Sequence, residues 1–317
     1  MTGGLDVWST PAPALLRVLI AADRGTELPQ ADGSAGFSFG GKRWRGRPAV
    51  VPLAPGREGV VANLDVDAYL YGVVPLEASA GWPAAALQAQ AIVARTYALA
   101  KRTLSRPYDV VLGESDQRYG GLAAESPATN AAVDATRGQI LAYAGGPASV
   151  FYAACCGGHT ADAAELWGRN TLPYLRGVPD PYCAAAPDYR WQRRIVLERF
   201  AAALGARGPG AISAFAVGPP DGAGRPRTIE IVGTAGRSTL TPAQLRAAIG
   251  PDIVRSTWIR AMSIDTTQAG PQVVIEGSGR GHGVGFCQWG ARFMSADGAG
   301  ARDILALYFP GTTIAGG

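Results

Sequence analysis

Sulfur and imidazole are scarce in this chain. Its 317 residues hold four Cys, three Met and two His. Chemistry that needs a thiolate or an imidazole is thereby confined to Cys155, Cys156, Cys183, Cys287, His159 and His282. Charge is thin as well, with 17% charged residues, a formal net charge of +4 and a pI near 9.0. That sign leans toward polyanionic partners. Yet no basic run exceeds KRWRGR at 42–47, which reads as a solvated hairpin edge, so nucleic acid is not an expected partner.

Long apolar runs are also missing. Arg17 and Arg95 cut the longest candidates well short of about eighteen residues, so no membrane span is expected. The opening stretch MTGGLDVWSTPAPALLRVLIAADRG lacks a basic region, an apolar core and a small-residue cleavage site, and no export signal is read in it. There is no internal repeat and no low-complexity tract. GRGHGVG could pass for a phosphate cradle, but its glycines lack the order of a dinucleotide fingerprint and no Lys-Ser/Thr follows for a P-loop.

What the chain does have is apolar residues (47%) in quantity for a core, with 43 Gly and 23 Pro that argue for many turns and against an all-helical fold. The length suits one large domain or two modest ones. The stretch VDAYLYGVVPLEASAGWPAAALQAQAIVARTYALAKR, from Val66, is its organising element. Tyr69 to Val74 reads as a short apolar strand or turn broken at Pro75, which puts Glu77 at a strand-to-helix junction. Pro83 suits a first helical position, and Leu87, Ala91, Ala94 and Ala98 form a helical stripe uninterrupted before Lys101. The helix is apolar nearly all round and so reads as buried. Gln88 and Arg95 share one of its faces, with Gln90 to the side. A buried Arg needs a partner, and the carboxylate near in sequence is Glu77.

Before this stretch, residues 14–62 read as short strands with a Gly-Gly hairpin. After it come a strand at Asp109 to Leu112, a polar loop with Asp116, Gln117 and Tyr119, a helix from Pro127 to Thr136, and two strands around Gly145-Gly146. Residues 190–265 have a different texture, two helices and a long Gly/Pro hairpin, and read as an inserted α+β subdomain. The expected fold is α+β: a mixed core of antiparallel strands and a long buried helix over 14–189 and 266–317, carrying that insert.

Cysteine spacing leaves three readings open. Cys156-x-x-His159 has ligand-like spacing with Cys183 further along, so Cys156, His159 and Cys183 could hold zinc, with Cys155 or His282 as further donors. A disulfide could instead join Cys183 to Cys155 or Cys156. The third reading is free, partly buried thiols.

Three motifs carry a family resemblance. EASAGWPAAALQAQAIVARTYAL resembles the signature of the SpoIID/LytB family, in which a Glu precedes Trp-Pro and a helix reading roughly A-L-K-A-Q-A-x-x-A-R-T-Y follows; Gln88 stands where Lys is usual. VFYAACCGGHTADAAELW with PYLRGVPDPYC resembles its Gly-Gly-x-Thr and Y-L-x-x-V-x-D-x-Y segments. GSGRGHGVGFCQWGA at 277–291 resembles its C-terminal G-x-G-W-G-H-G-V-G-M-S-Q-x-G-A, with Arg280, Phe286 and Cys287 in place of Trp, Met and Ser.

The resemblance implies a lytic transglycosylase that cleaves MurNAc-GlcNAc bonds in peptide-free peptidoglycan strands and leaves 1,6-anhydro ends. It implies Glu77 as general acid and base, and Gln88, Arg95, Tyr97, Gln117, Tyr119, Tyr152, His159, His282 and Gln288 as substrate contacts. An ordinary glycosidase needs two carboxylates. One suffices here because the sugar's own C6 hydroxyl is the nucleophile. Glu77 must then start protonated, so Arg95 is expected to hold backbone or a substrate carboxylate instead of Glu77. In the Gly-rich loop, Gly281, Gly283 and Gly285 would let backbone approach a bulky ligand, or would serve packing alone. No cofactor is required, with zinc admitted. The implied partners are glycan strands and a cell-wall amidase, and the implied place is the cell envelope or the extracytoplasmic space. The alternative is a non-catalytic glycan-binding module or amidase enhancer of the LytB type.

Overall fold

A computed structural model describes residues 15–316 except 26, 34–35, 114, 169–171 and 268–269; residue 14 and the opening stretch before it lie outside the described residues. The architecture is α+β, and the chain divides into two compact units. The first runs to Val150 and takes in Ala299–Arg302 and the residues from Thr312; the second comprises Phe151–Gly298 and Asp303–Gly311.

The first unit opens with β1 (Leu15–Ala21), β2 (Gln30–Ala31), β3 (Gly36–Phe39), β4 (Lys42–Arg45), β5 (Arg47–Ala54) and β6 (Arg57–Asp65). β3 and β4 make the Gly-Gly hairpin, turning at Gly40 and Gly41 with φ of 60° and 68°. The helices α1 (Val66–Glu77) and α2 (Ala84–Ala100) follow, then β7 (Val110–Val111), α3 (Pro127–Ala135), β8 (Ile140–Tyr143) and β9 (Gly146–Pro147). One sheet has the order β5-β6-β1-β7, antiparallel except for the parallel β1–β7 pair. Leu16, Val18, Val60, Leu70, Val73 and Ala94 share its core with α1 and α2.

The segment expected as a strand broken at Pro75 is helix α1. Asp65 caps it by accepting from the Asp67 and Ala68 N–H groups. Pro75 stands two residues before the end of the helix, where it forgoes the bond to the Tyr71 carbonyl and the helix stops soon after it. Glu77 is therefore the last residue of a helix in an α1–α2 hairpin, not a strand-to-helix junction. α2 is buried on most sides, at Leu87, Ile92, Ala94 and Ala98 among others. Its alanines let neighbouring elements approach, and Thr96, buried in it, accepts a hydrogen bond from the Leu141 N–H at 2.8 Å.

The second unit contains β10 (Tyr152–Ala153), α4 (Ala163–Trp167), β11 (Trp191–Val196), α5 (Leu197–Leu204), β12 (Ile212–Val217), β13 (Ile229–Gly233), β14 (Gly236–Leu240), α6 (Pro242–Ile249), β15 (Trp258–Thr267), β16 (Gly270–Ser278), β17 (Phe286–Cys287) and α7 (Gln288–Ala296). α8 (Ala301–Tyr308) and β18 (Thr313–Ala315) end the chain, and β18 pairs with β8. The sheets of the second unit are β11-β16-β15, β12-β13-β14 and the parallel pair β10-β17.

The insert expected at 190–265 is not a unit of its own. β16 lies beyond it in sequence yet is the middle strand between β11 and β15, and its Val273 and Ile275 share one core with Phe200, Ile229 and Ile231. Sheet closure joins 190–265 to the residues around it, and the division falls at Val150 instead.

Candidate functional site

Glu77 is half-buried at the carboxyl end of α1, and its Oε1 accepts a hydrogen bond from the Arg118 N–H at 3.1 Å. Leu76 beside it is 42% exposed, and the half-buried Trp82 packs on Ala78, Leu87 and Ala132. The acid thus sits at the accessible end of a helix hairpin, oriented by one main-chain donor from the 116–119 loop. Gln88, early in α2, is half-buried.

Arg95 belongs to a different layer. It is 0% exposed, and its Nε donates to Asp67 Oδ1 at 2.7 Å. Its terminal nitrogens donate to the Gln139 carbonyl at 3.0 Å and the Val133 carbonyl at 3.2 Å. Burial pulls its pKa below the ordinary value while the Asp67 charge opposes the shift. The expected substrate contact at Arg95 is corrected on this ground, since a ligand cannot reach a side chain enclosed by α1, α2 and α3. Its partner is Asp67, not Glu77.

The loop residues on either side of Arg118, whose N–H reaches Glu77, behave likewise. Gln117 is buried and donates to the Ala94 carbonyl at 3.4 Å. Tyr119 is buried against the Trp44 and Tyr69 rings, with centroids 5.5 and 4.9 Å away. Tyr97 is half-buried and donates to Asp116 Oδ1 at 2.9 Å. In this conformation Gln117 and Tyr119 present their side chains to the core, so direct sugar contacts from them are corrected too. The main-chain group that reaches Glu77 is the N–H of Arg118, which lies between them.

The remaining candidates lie in the second unit. His282 accepts from the Val284 N–H on Nδ1 at 3.0 Å, its ring also hydrogen-bonds the Tyr152 backbone, and burial pushes its pKa down to about 4. It stands beside Trp167, with ring centroids 5.5 Å apart. Both ring nitrogens are thus engaged by main chain, which makes His282 a neutral organiser of the Gly-rich loop. The loop's glycines meet protein: a Cβ at Gly283 would lie 2.4 Å from an Arg225 nitrogen, and one at Gly285 2.4 Å from the Phe151 carbonyl oxygen. Packing accounts for both positions. Gln288 is buried at the start of α7, and Tyr152 is half-buried in β10. His159 is half-buried, with Nδ1 2.7 Å from the Thr160 carbonyl oxygen.

The metal-ligating side chains that converge are not the set expected from spacing. One donor atom each from Cys156, Asp180, Cys183 and Cys287 lie within 4.8 Å of one another, all buried, and His159 is outside the group. The Cys156 thiol donates to Asp180 Oδ2 at 3.0 Å, and the Cys156 and Cys183 sulfurs are 3.5 Å apart without a disulfide bond. Burial pushes the Cys156 and Cys287 thiols up, while hydrogen bonds from Cys155, Cys156 and Cys287 pull Cys183 down. Arg225 is buried above them and donates to the Cys156 carbonyl at 2.7 Å and the His159 carbonyl at 3.1 Å. Asp67, Asp180 and Arg225 were not among the sequence candidates. Asp180 had a signal, three residues before Cys183 in PDPYC; Asp67 and Arg225 had none, because their partners are distant in sequence.

Comparison with known proteins places these residues among relatives. The family model described as "Stage II sporulation protein" matches residues 55–143, the segment holding Glu77, Arg95 and the 116–119 loop. An uncharacterized protein of Brachyspira hyodysenteriae is 32% identical over 284 residues, 88% of this chain and 74% of that protein. The stage II sporulation protein D of Bacillus subtilis is 26% identical over 87% of this chain and 82% of its own length. The amidase enhancer of Bacillus subtilis is 26% identical over 77% of this chain but only 40% of its own length. Among the described residues no helix is long and apolar enough to cross a membrane.

Proposed function

Since the chain belongs to the stage II sporulation protein D family, we propose that it acts on the cell wall as a peptidoglycan lytic transglycosylase, with Glu77 as its acid and base. The observation that carries this reading is the setting of Glu77: a carboxyl at the accessible end of α1, fixed by the Arg118 N–H and flanked by Leu76 and Trp82. In the reaction, Glu77 gives its proton to the glycosidic oxygen as the MurNAc C1–O bond breaks. The C6 hydroxyl of the same sugar bonds to C1, and its proton returns to Glu77. No water is consumed, and the product is the 1,6-anhydro end. A single carboxyl suffices because acid and base roles fall in sequence on one group. Half-buried Gln88 and Tyr97 are the candidates for sugar contact on α2. The working place is the extracytoplasmic cell envelope, and no cofactor enters the reaction.

The test is mass spectrometry of peptide-free and intact peptidoglycan digested by the wild-type chain and by Glu77→Gln. Anhydro ends from the wild type alone sustain the proposal. If neither protein makes them while both bind glycan and stimulate an amidase equally, the chain is an accessory module. The similarity to an amidase enhancer favours that second reading.

A further inference from the structure

We propose that the second unit carries a structural zinc site built from Cys156, Asp180, Cys183 and Cys287. Three thiols and one carboxylate converge from three separated segments: the stretch after β10, the turn after Pro179, and the start of α7. Around zinc, metal–sulfur bonds of about 2.3 Å in a tetrahedron place neighbouring sulfurs roughly 3.8 Å apart. The donors already stand close to that arrangement, with 3.5 Å between the Cys156 and Cys183 sulfurs and all four donor atoms within 4.8 Å of one another. Sulfur-rich donor sets select zinc over magnesium or calcium, which prefer oxygen. The four residues are at most 1% exposed, so the site has no open position for water or substrate and is of the closed, structural kind.

The shell around the donors is built for anionic ligands. Cys287 Sγ accepts from the Cys156 N–H at 3.2 Å and the Gly290 N–H at 3.4 Å. Asp180 Oδ1 accepts from the Tyr182 and Cys183 N–H groups at 3.1 and 3.3 Å, which leaves Oδ2 turned to the sulfurs. Outer hydrogen bonds of this kind orient ligands and fix their ionised form. Gly290 permits the approach of α7, since a Cβ there would lie 2.4 Å from Asp180 Oδ2.

Arg225 supplies an independent argument. Its guanidinium is buried, and among the described residues no carboxylate stands in ion-pair contact with it; the Asp221 carboxylate, which accepts from the Arg225 main-chain N–H, acts on it through charge alone. A buried cation whose counter-charge is not in contact is costly. Zinc bound by three thiolates and a carboxylate has a formal charge of −2, and Arg225, hydrogen-bonded to the Cys156 carbonyl, lies where it offsets that charge. A Cys156–Cys183 disulfide would instead leave the buried Asp180 carboxylate facing neutral sulfur and Arg225 with the more remote charge of Asp221. Zinc therefore meets more of the buried polar groups than the disulfide does, at the cost of thiol protons released on binding.

Metal analysis of the whole chain, purified without immobilised metal, tests the site together with thiol titration after denaturation and chelation. The expected result is one zinc per chain, four titratable thiols once the metal is removed, loss of zinc in Cys287→Ser and retention in His159→Ala. Should Cys287→Ser fail to fold, cobalt exchanged into the wild-type chain gives a second reading: thiolate-to-cobalt charge transfer with the strong visible bands of a tetrahedral centre. Wild-type protein that neither contains zinc nor takes up zinc or cobalt overturns the site. So does a Cys156–Cys183 disulfide in protein isolated with its thiols blocked, or zinc lost from His159→Ala but kept in Cys287→Ser.

Discussion

Arg95 in the first unit and Arg225 in the second are both buried guanidinium groups, accommodated in opposite ways. Arg95 has a carboxylate, Asp67, at 2.7 Å and two backbone carbonyls, so its charge and its donors are met within the chain. Arg225 has carbonyls and the Trp258 ring, 4.8 Å from its carbon, but its guanidinium sits beside sulfur and has no carboxylate in ion-pair contact among the described residues, Asp221 acting through charge alone. Burial lowers the pKa of each. The difference separates two kinds of scaffold. The first unit sets its accessible acid on an ion-paired clasp that is complete in itself, whereas the second is arranged around thiols whose charge depends on what they bind.

The comparison is sharpened most by Glu77→Gln, which removes a proton donor but no clasp. It should cost glycan cleavage at least roughly 10²- to 10⁴-fold while leaving the unfolding midpoint unchanged. Cleavage of peptide-free strands within a few-fold of wild type would sink the assignment of the acid. Next in size is Asp67→Ala, which strands Arg95 in the core and should destabilise the first unit by about 3–5 kcal/mol in urea titration. Arg95→Met with Asp67→Leu should cost less than Asp67→Ala alone, because the pair leaves together; a double change as costly as the single one would show that the ion pair is not the reason. Arg225→Met leaves two carbonyls unmet and should cost about 1–3 kcal/mol in the second unit, with no effect on unfolding of the first.

The smallest effect concerns pH. The His282 pKa in the folded chain, about 4, lies below the usual 6.5, so the unfolded state binds the extra proton between those values. Its contribution to stability is whole above about pH 6.5, falls as the pH drops from there toward about 4, and changes no further below that. His282→Gln should flatten the stability profile across that window. A profile identical to wild type would show that some other group titrates there.

Much of the first unit was legible in the sequence. The Gly-Gly hairpin, the helix opened by Pro83 and the helix from Pro127 are local patterns, decided by turn chemistry, capping and periodicity. Pro75 misled because it falls near the end of a helix rather than before one, and only the Asp65 cap upstream reveals that the helix has already begun. The signature around Glu77 was legible as well, since its residues are contiguous. What each side chain faces was not: Arg95, Gln117 and Tyr119 occupy motif positions yet point into the core.

The sequence by itself determined the class of fold and the family, and it singled out Glu77 as the candidate acid, because these depend on patterns within a few turns of chain. Only the tertiary structure decided that Asp67 neutralises Arg95 and that residues 190–265 share a sheet with β16. It alone decided that Cys183 is joined by Cys156, Asp180 and Cys287 rather than His159. Asp180 aside, which is three residues from Cys183, the side-chain partners come together through packing across 27 to 131 positions of chain. Separation of that kind leaves no local periodicity to read, and burial, which makes pairing obligatory, is settled only once the core has closed.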